Sequence, residues 1–157
     1  MSVHAAIDPG LSGAIVVLED SHRGIIACHD MPTMDVRGKN RIDLYALRDI
    51  IIDIGPVTLI TVEEVQGVQG TGATSAFSFG YGAGAIAGIL TALDRPWQYV
   101  TPQRWTKAMG VSRDKGAHRQ MAQRLYPAQA TLFNRVKDDG RADAALIATY
   151  AIRGGVA

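Results

Sequence analysis

The strongest constraint on the fold lies in the first thirty residues. Three short apolar runs, 3–7, 13–18 and 24–29, follow one another with only turns between them. Asp8-Pro9-Gly10 makes the first joint and Asp20-Ser21-His22-Arg23-Gly24 the second, both rich in turn formers. Joints this short leave no room for a crossover helix, so the three runs are expected to pair as an antiparallel meander. After a Pro- and Gly-containing loop over 31–40, the period changes. Leu44, Leu47, Ile50, Ile51 and Ile54 recur at helical spacing, predicting a helix over 42–54 that Gly55-Pro56 ends. An almost wholly apolar or β-branched run follows at 57–62, a buried strand. A flexible Gly-rich loop over 67–72 leads into a long Gly/Ala-rich helix over about 74–93. A short strand at 97–100 and short helices at 102–109 and 115–125 come next. A slim helix over 139–152 carries Ala142, Ala144, Ala145 and Ala148 and stops at Gly154-Gly155. A meander followed by α/β units predicts one mixed five-stranded α/β sheet with helices on both faces.

At 157 residues, with 47% hydrophobic and 20% charged, the chain suits one domain spanning 1–157 with a sizeable core. Apolar stretches are read as interrupted before a membrane span, and the first residues lack the pattern of a signal peptide. A cytoplasmic protein with no membrane partner is therefore expected. Cys28 is the sole cysteine, which excludes an internal disulfide and a Cys-rich zinc site, and His4, His22, His29 and His118 lack zinc spacing. The net charge of +1 is uninformative, but its distribution is not. Between 101 and 126 six basic residues (Arg104, Lys107, Arg113, Lys115, Arg119 and Arg124) face one acid, Asp114. Between 41 and 64 two basic residues face five acidic ones. A basic face beside an acidic centre suits a protein that grips phosphates and holds cations between them.

The acids fall at the ends of elements. Asp8 closes the first run, Glu63 and Glu64 close the strand over 57–62, and Asp138 and Asp139 open the last helix, with Asp143 a turn later. Residues four apart on a helix lie about 40° from each other around the axis, so Asp139 and Asp143 share a face, whereas Asp138 is about 140° from Asp143. Asp138 is thus expected to be a helix cap rather than a partner. Carboxylates converging from two strand ends and a helix could hold two hard divalent cations for phosphodiester chemistry. Singly, each acid also has an ordinary reading as a turn, a cap or a solvated surface group. Asp143 is the exception, because its neighbours are small or apolar and an acid among them needs a partner. Spacing alone leaves Glu63 and Glu64 undecided.

Ile7-Asp8-Pro9-Gly10, Val62-Glu63-Glu64-Val65 and Asp143-Ala144-Ala145-Leu146-Ile147-Ala148 together resemble the acidic motifs of RuvC-type Holliday junction resolvases. Phe77-Ser78-Phe79-Gly80, Val100-Thr101-Pro102-Gln103-Arg104-Trp105 and Lys137-Asp138-Asp139-Gly140-Arg141-Ala142-Asp143 are similar to the short RuvC-like resolvases of bacteriophages and prophages. The similarity runs from about 3 to 153. It implies an RNase H-like fold and a homodimer making paired nicks in a four-way DNA junction, leaving 5′-phosphate and 3′-hydroxyl ends. The implied catalytic and metal-holding residues are Asp8, Glu63, Asp139 and Asp143, with two Mg2+ ions for which Mn2+ can substitute. One ion would lie between Asp8 and Asp143, with Asp139, and the other between Asp8 and Glu63. The resemblance selects Glu63 over Glu64 by the Glu-x-Val pattern. It also suggests DNA contacts from Lys107 and Lys115, with Arg104, Arg113 and Gln66 beside them. Two departures stand out. Gln66 takes the place of an aromatic that wedges into the junction in bacterial relatives, so stacking must come from elsewhere, such as the 67–72 loop, or be absent. Gly140 stands where those relatives have another acid, a role that Asp139 takes up.

Other readings are weaker. Gly82-Ala83-Gly84-Ala85-Ile86-Ala87 fits a dinucleotide fingerprint but lies within a helix rather than after a strand, so no nucleotide cofactor is expected. Its glycines are expected to permit close packing on the sheet or against a second copy, with 80–88 as the dimer face. Asp8-Pro9-Gly10 would suit the phosphate turn of a sugar-kinase or actin-like ATPase, but those need two lobes. A branched-DNA or flap debranching nuclease and a catalytically silent junction-binding protein remain the alternatives in function.

Overall fold

The computed structural model of the chain describes residues 2–20, 24–64, 66–67, 70 and 72–155. Three strands open it: β1 (Val3–Asp8), β2 (Ala14–Glu19) and β3 (Gly24–Asp30). They pair antiparallel, Ala6 opposite Val16 and Val16 opposite Cys28. Residues 21–23 of the anticipated second turn lie outside the described residues. The first turn is tight, with the Gly13 amide donating to the Gly10 carbonyl at 2.8 Å.

The segment 31–40, read as a loop, is instead a two-stranded hairpin of β4 (Thr33–Val36) and β5 (Lys39–Ile42). Its turn places both Arg37 (φ 55°) and Gly38 (φ 75°) in the left-handed region. Hairpin turns of this hand are usually announced by Asn-Gly or Asp-Gly, and Arg-Gly carries no such signal. The hairpin also moves the next boundary. Ile42 pairs with Thr33, and Asp43 caps α1 (Leu44–Asp53) by accepting from the Tyr45 and Ala46 amides at 3.1 and 3.0 Å. At its other end the Arg95 guanidinium donates to the Ile51 and Gly55 carbonyls, occupying acceptors that the helix leaves open.

The parallel part of the sheet comes from β6 (Leu59–Glu63), starting two residues later than expected, and β7 (Trp97–Val100). β6 lies beside β1 with Ile7 opposite Val62, and the strand order is β3-β2-β1-β6-β7. Between β6 and β7 runs α2 (Ala73–Ala92). After β7 come α3 (Pro102–Met109), α4 (Lys115–Leu125), two 3-10 turns (Pro127–Phe133 and Val136–Asp138) and α5 (Asp139–Ile152).

Alternation along the strands builds two cores, one on each face. Ala5, Ile7, Ile15, Val17, Ile60 and Val62 point toward α1 and α2. Ala6, Ala14, Val16 and Leu18 point toward α3, α4 and α5. The mixed five-stranded α/β sheet with helices on both faces is therefore as expected from the sequence. α5 is buried almost all round, and its alanines keep it slim enough to lie flat on β1 and β2.

α2 differs from expectation in two ways. It is uncharged over twenty residues, long and apolar enough by length and composition to cross a membrane, whereas the sequence was read as interrupted before that length. It also buries only Gly82, Ile86 and Leu90 against the body of the protein, with Ile89 partly buried beside them. Of its glycines only Gly82 approaches a neighbour, Ile42, and around Gly80, Gly84 and Gly88 there is open space. Those three do not pack on the sheet.

Candidate active site

Parity and register bring two acids together. On β1 the even positions face α5, so Asp8 at the strand end turns to that side with Ala6. On β6, Ile60 and Val62 face the opposite side, so Glu63 turns toward α3 and α5. Because Ile7 lies opposite Val62 in a parallel pair, Asp8 and Glu63 end adjacent strands side by side. Glu64 continues the other parity and takes no part.

The third acid, Asp143, is 1% exposed and comes from α5, which crosses over β1. The three carboxylates feel one another. Burial raises the Asp8 carboxyl to about 6, and the Asp143 charge adds to this against the Gly10 amide, which donates to Oδ1 at 3.2 Å. Burial likewise raises Glu63 to about 7, with Asp8 contributing and the Trp105 indole N–H, 2.7 Å from Oε2, opposing. Lys115 forms an ion pair with Asp143. Partial burial works against its charge, but the Asp143, Asp8 and Glu63 carboxylates hold its ammonium above the ordinary lysine range.

Asp139 lines the same groove as Asp8, Glu63 and Lys115, but its carboxylate is held by Arg119 of α4. The two acids of α5 do share a face, and it is the face toward α4, where Arg119 and Lys115 stand one turn apart. Asp138 is no ordinary cap. Its side chain makes no capping hydrogen bond to α5; it turns back to accept from the Arg135 amide at 2.8 Å and the Arg135 guanidinium, with Arg141 of α5 in a looser ion pair at 3.8 Å. Burial opposes its charge, but these bonds hold it below the usual carboxylate range.

Gly140 has a steric reason to be glycine. A Cβ there would lie 2.2 Å from the Ser12 carbonyl oxygen and 2.7 Å from the Gly13 Cα. The first turn of α5 sits directly on the turn after β1, and an acid at 140 has no room.

The groove measures about 630 Å3. Its far wall is the β4–β5 hairpin and the start of α2, contributing Lys39, Arg41, Phe77, Phe79 and Tyr81. Phe77 is 67% exposed, and Arg41 lies over the Tyr81 ring at 5.4 Å. Of the expected DNA-contacting residues, Lys115 lines this groove. Arg104 and Lys107 are exposed on α3 and Arg113 in the link to α4, away from it. Gln66 is exposed and accepts from the Gln103 amide at 3.2 Å. Val65 of the Glu-x-Val pattern, and Val68, Gln69 and Thr71 of the 67–72 loop, lie outside the described residues.

The sequence reading passed over three participants. In the sequence Trp105 stands out only as part of the 100–105 motif, and Arg119 only as one of six basic residues between 101 and 126. His118 was weighed only as a zinc ligand. It is buried, and its ring nitrogens face the Asp143 carboxylate (2.6 Å) and the Ser112 carbonyl (2.7 Å). Its one sequence signal was its place three residues after Lys115, on the same helix face.

Among the described residues no three His, Cys, Asp or Glu side chains stand close enough to cage an ion. The donor set nevertheless fits a hard divalent cation. It is all carboxylate oxygen, and burial, reinforced by mutual repulsion, raises the Asp8 and Glu63 carboxyls. Magnesium keeps several waters and takes only one or two carboxylates, so a full cage is not required.

No family model matches the chain. A curated relative, the chloroplastic Holliday junction resolvase MOC1 of Chlamydomonas reinhardtii, is 31% identical over 100 residues, 62% of this chain. That match spans 11% of the relative's own length. Among solved structures, RuvC of T. thermophilus in complex with a Holliday junction substrate superposes with a TM-score of 0.61, at 18% identity, over 99% of this chain and 98% of that one. A second Thermus thermophilus RuvC structure gives 0.57, at 17% identity, over 98% and 97%. In fold, this chain is RuvC-like: an RNase H-like α/β sheet with acids at two adjacent strand ends and on the helix that crosses them.

Proposed function

We propose that the chain is a metal-dependent Holliday junction resolvase, an endonuclease that makes paired nicks in four-way DNA junctions during recombination and repair. The observation that carries this reading is the pair Asp8 and Glu63 in a groove whose opposite wall is basic and aromatic, with the buried Asp143 beside them and paired to the groove's Lys115. The RuvC-like fold and the MOC1 relative support it. Asp8, Glu63 and Asp143 would hold magnesium, or manganese in its place, with Asp139, paired here with Arg119, as a further carboxylate on the same groove. Such ions, when bound, offset the carboxylate charge and stabilise the charge that develops on a phosphodiester being cut. Lys115, half-exposed at the rim of the cluster, presents its ammonium to the phosphate beside the cut, and the Gly10 amide keeps Asp8 turned inward. Lys39 and Arg41 meet backbone phosphates, while Phe77 and Phe79 offer faces to unpaired bases. Arg104, Lys107, Arg113 and Gln66 would extend the DNA contact along the outer surface of α3 and the links beside it. The enzyme acts in the cytoplasm of a bacterium or a phage-infected host.

Two coordinated cuts need two such grooves, and a homodimer supplies them. α2 is the proposed seam. It is uncharged and leaves most of its surface uncovered, and Gly80, Gly84 and Gly88 form an open stripe along it. Three glycines on an exposed helix face each cost about 1 kcal/mol against alanine, a cost that close approach of a second helix offsets.

The test is a panel of four-way junction, fork, flap and linear duplex, each incubated in magnesium and in manganese. Symmetric nicking of the junction in preference to the other substrates is expected. Asp8→Asn should abolish nicking while junction binding persists. Equal nicking of forks and flaps would favour a debranching nuclease. Binding without nicking in either metal would favour a junction-binding protein.

A further inference from the structure

Two rings hold the carboxylate cluster in shape. Trp105, from α3, is 1% exposed and donates its indole N–H to Glu63. His118, from α4, is 3% exposed and lies against Asp143. Its other nitrogen, Nε2, faces the Ser112 carbonyl, which can only accept, so Nε2 carries a hydrogen. The two rings meet edge to face, with centroids 5.2 Å apart at 66°. Indole and imidazole thus form a buried bridge between two acids that come from different elements, a strand end and a helix. The His118 ring is fixed from behind, and Trp105 is carried by a capped helix. α3 starts at the Thr101 cap, and Ser112, in the link between the helices, anchors His118.

We infer that Trp105 and His118 are positioning residues of this site, setting the orientation and separation of the Glu63 and Asp143 carboxylates. The inference rests on the nuclease reading above. Neither ring lines the groove, so neither is expected to touch DNA. Their effect runs through the acids, and partners of this kind typically alter metal affinity or activity 10- to 100-fold when removed, an order-of-magnitude expectation.

The test uses Trp105→Phe, which keeps a ring and loses the N–H, together with His118→Leu and His118→Asn. The asparagine amide nitrogen falls where Nδ1 stands and can still donate to Asp143. Mn2+ binding is followed by calorimetry and junction cutting by steady-state kinetics, with folding checked by circular dichroism. Trp105→Phe and His118→Leu should weaken Mn2+ binding roughly tenfold or more and lower kcat at unchanged junction KM. His118→Asn should recover most of the loss. In a Trp97→Phe background, where Trp105 is the remaining indole, added Mn2+ should quench its emission. This reading does not depend on any His118 variant folding. Trp105→Phe with wild-type Mn2+ affinity and kcat would overturn the inference and leave the nuclease reading intact. Asn and Leu equally impaired at His118, or an unquenched Trp105 in protein that binds Mn2+, would do the same. A wild-type protein that neither binds Mn2+ nor cuts would overturn the nuclease reading, and this inference with it.

Discussion

Asp8 is the residue at which stability and function oppose each other most clearly. Its carboxyl is raised to about 6, so between about pH 4 and 6 the folded protein binds a proton that the unfolded chain has released. Metal-free stability must therefore fall as pH rises through this window. Asp8→Asn keeps an acceptor for the Gly10 amide and removes the charge. The metal-free variant should melt higher than wild type at pH 8, by on the order of 1–2 kcal/mol, and the gap should close near pH 4. Thermal melts in chelator at both pH values measure this, and an equal gap at both would refute it. The neighbouring pair Asp138 and Asp139 separates the other way. Asp138→Ala leaves the Arg135 amide without its acceptor and should cost about 1–3 kcal/mol in urea unfolding, with cutting by the folded fraction largely kept. Asp139→Ala removes the carboxylate partner of Arg119, whose side chain is one-fifth exposed, and should cost less in unfolding than Asp138→Ala while slowing cutting. The sequence contrast between these two acids thus survives in altered form, because burial makes Asp138 structural rather than dispensable.

Among the elements, α5 and the turn after β1 act as one unit. Gly140 rests on the Ser12–Gly13 backbone, and a Cβ at Gly13 would fall 2.0 Å from the Asp8 carbonyl oxygen. Backbone meets backbone here, so no flexible side chain can move aside. Gly140→Ala should therefore shift the start of α5 away from Asp8, costing at least about 2 kcal/mol in chemical denaturation and most of the cutting activity. A variant as stable and active as wild type would mean that the contact is slack. The elements also mark where a linear reading failed. α5, β1 and β2 were legible because each is a continuous apolar or alanine-rich run bounded by turn or stop residues. The β4–β5 hairpin was not, because its strands are four residues each and mostly exposed, β5 carries no apolar alternation, and its turn uses Arg37-Gly38. That unread hairpin supplies Lys39 and Arg41, the basic residues of the groove's far wall.

For the molecule as a whole, the open question is what covers α2. Nothing lies within 4 Å of a Cβ built at Gly84, so a larger side chain there leaves the protomer undisturbed. With α2 as the proposed seam, wild type should sediment as a dimer, and Gly84→Leu, with the same circular dichroism, as a monomer that makes single rather than paired nicks. A dimeric Gly84→Leu protein would exclude this face. Taken by itself, the sequence determined the element types along most of the chain, the antiparallel start and parallel continuation of the sheet, and a short list of acids at element ends. These depend on local period and turn chemistry, which neighbours in the chain carry. Only the tertiary structure decided which acids share a space. Choosing Glu63 by geometry requires the β1–β6 register, which hydrogen bonds between distant segments set. Giving Asp139 to Arg119, and Asp143 to Lys115 and His118, requires the way α4 lies against α5. Burial of the cluster, and with it the raised carboxyls, comes from helices on one face of the sheet closing over strand ends that are far away in sequence.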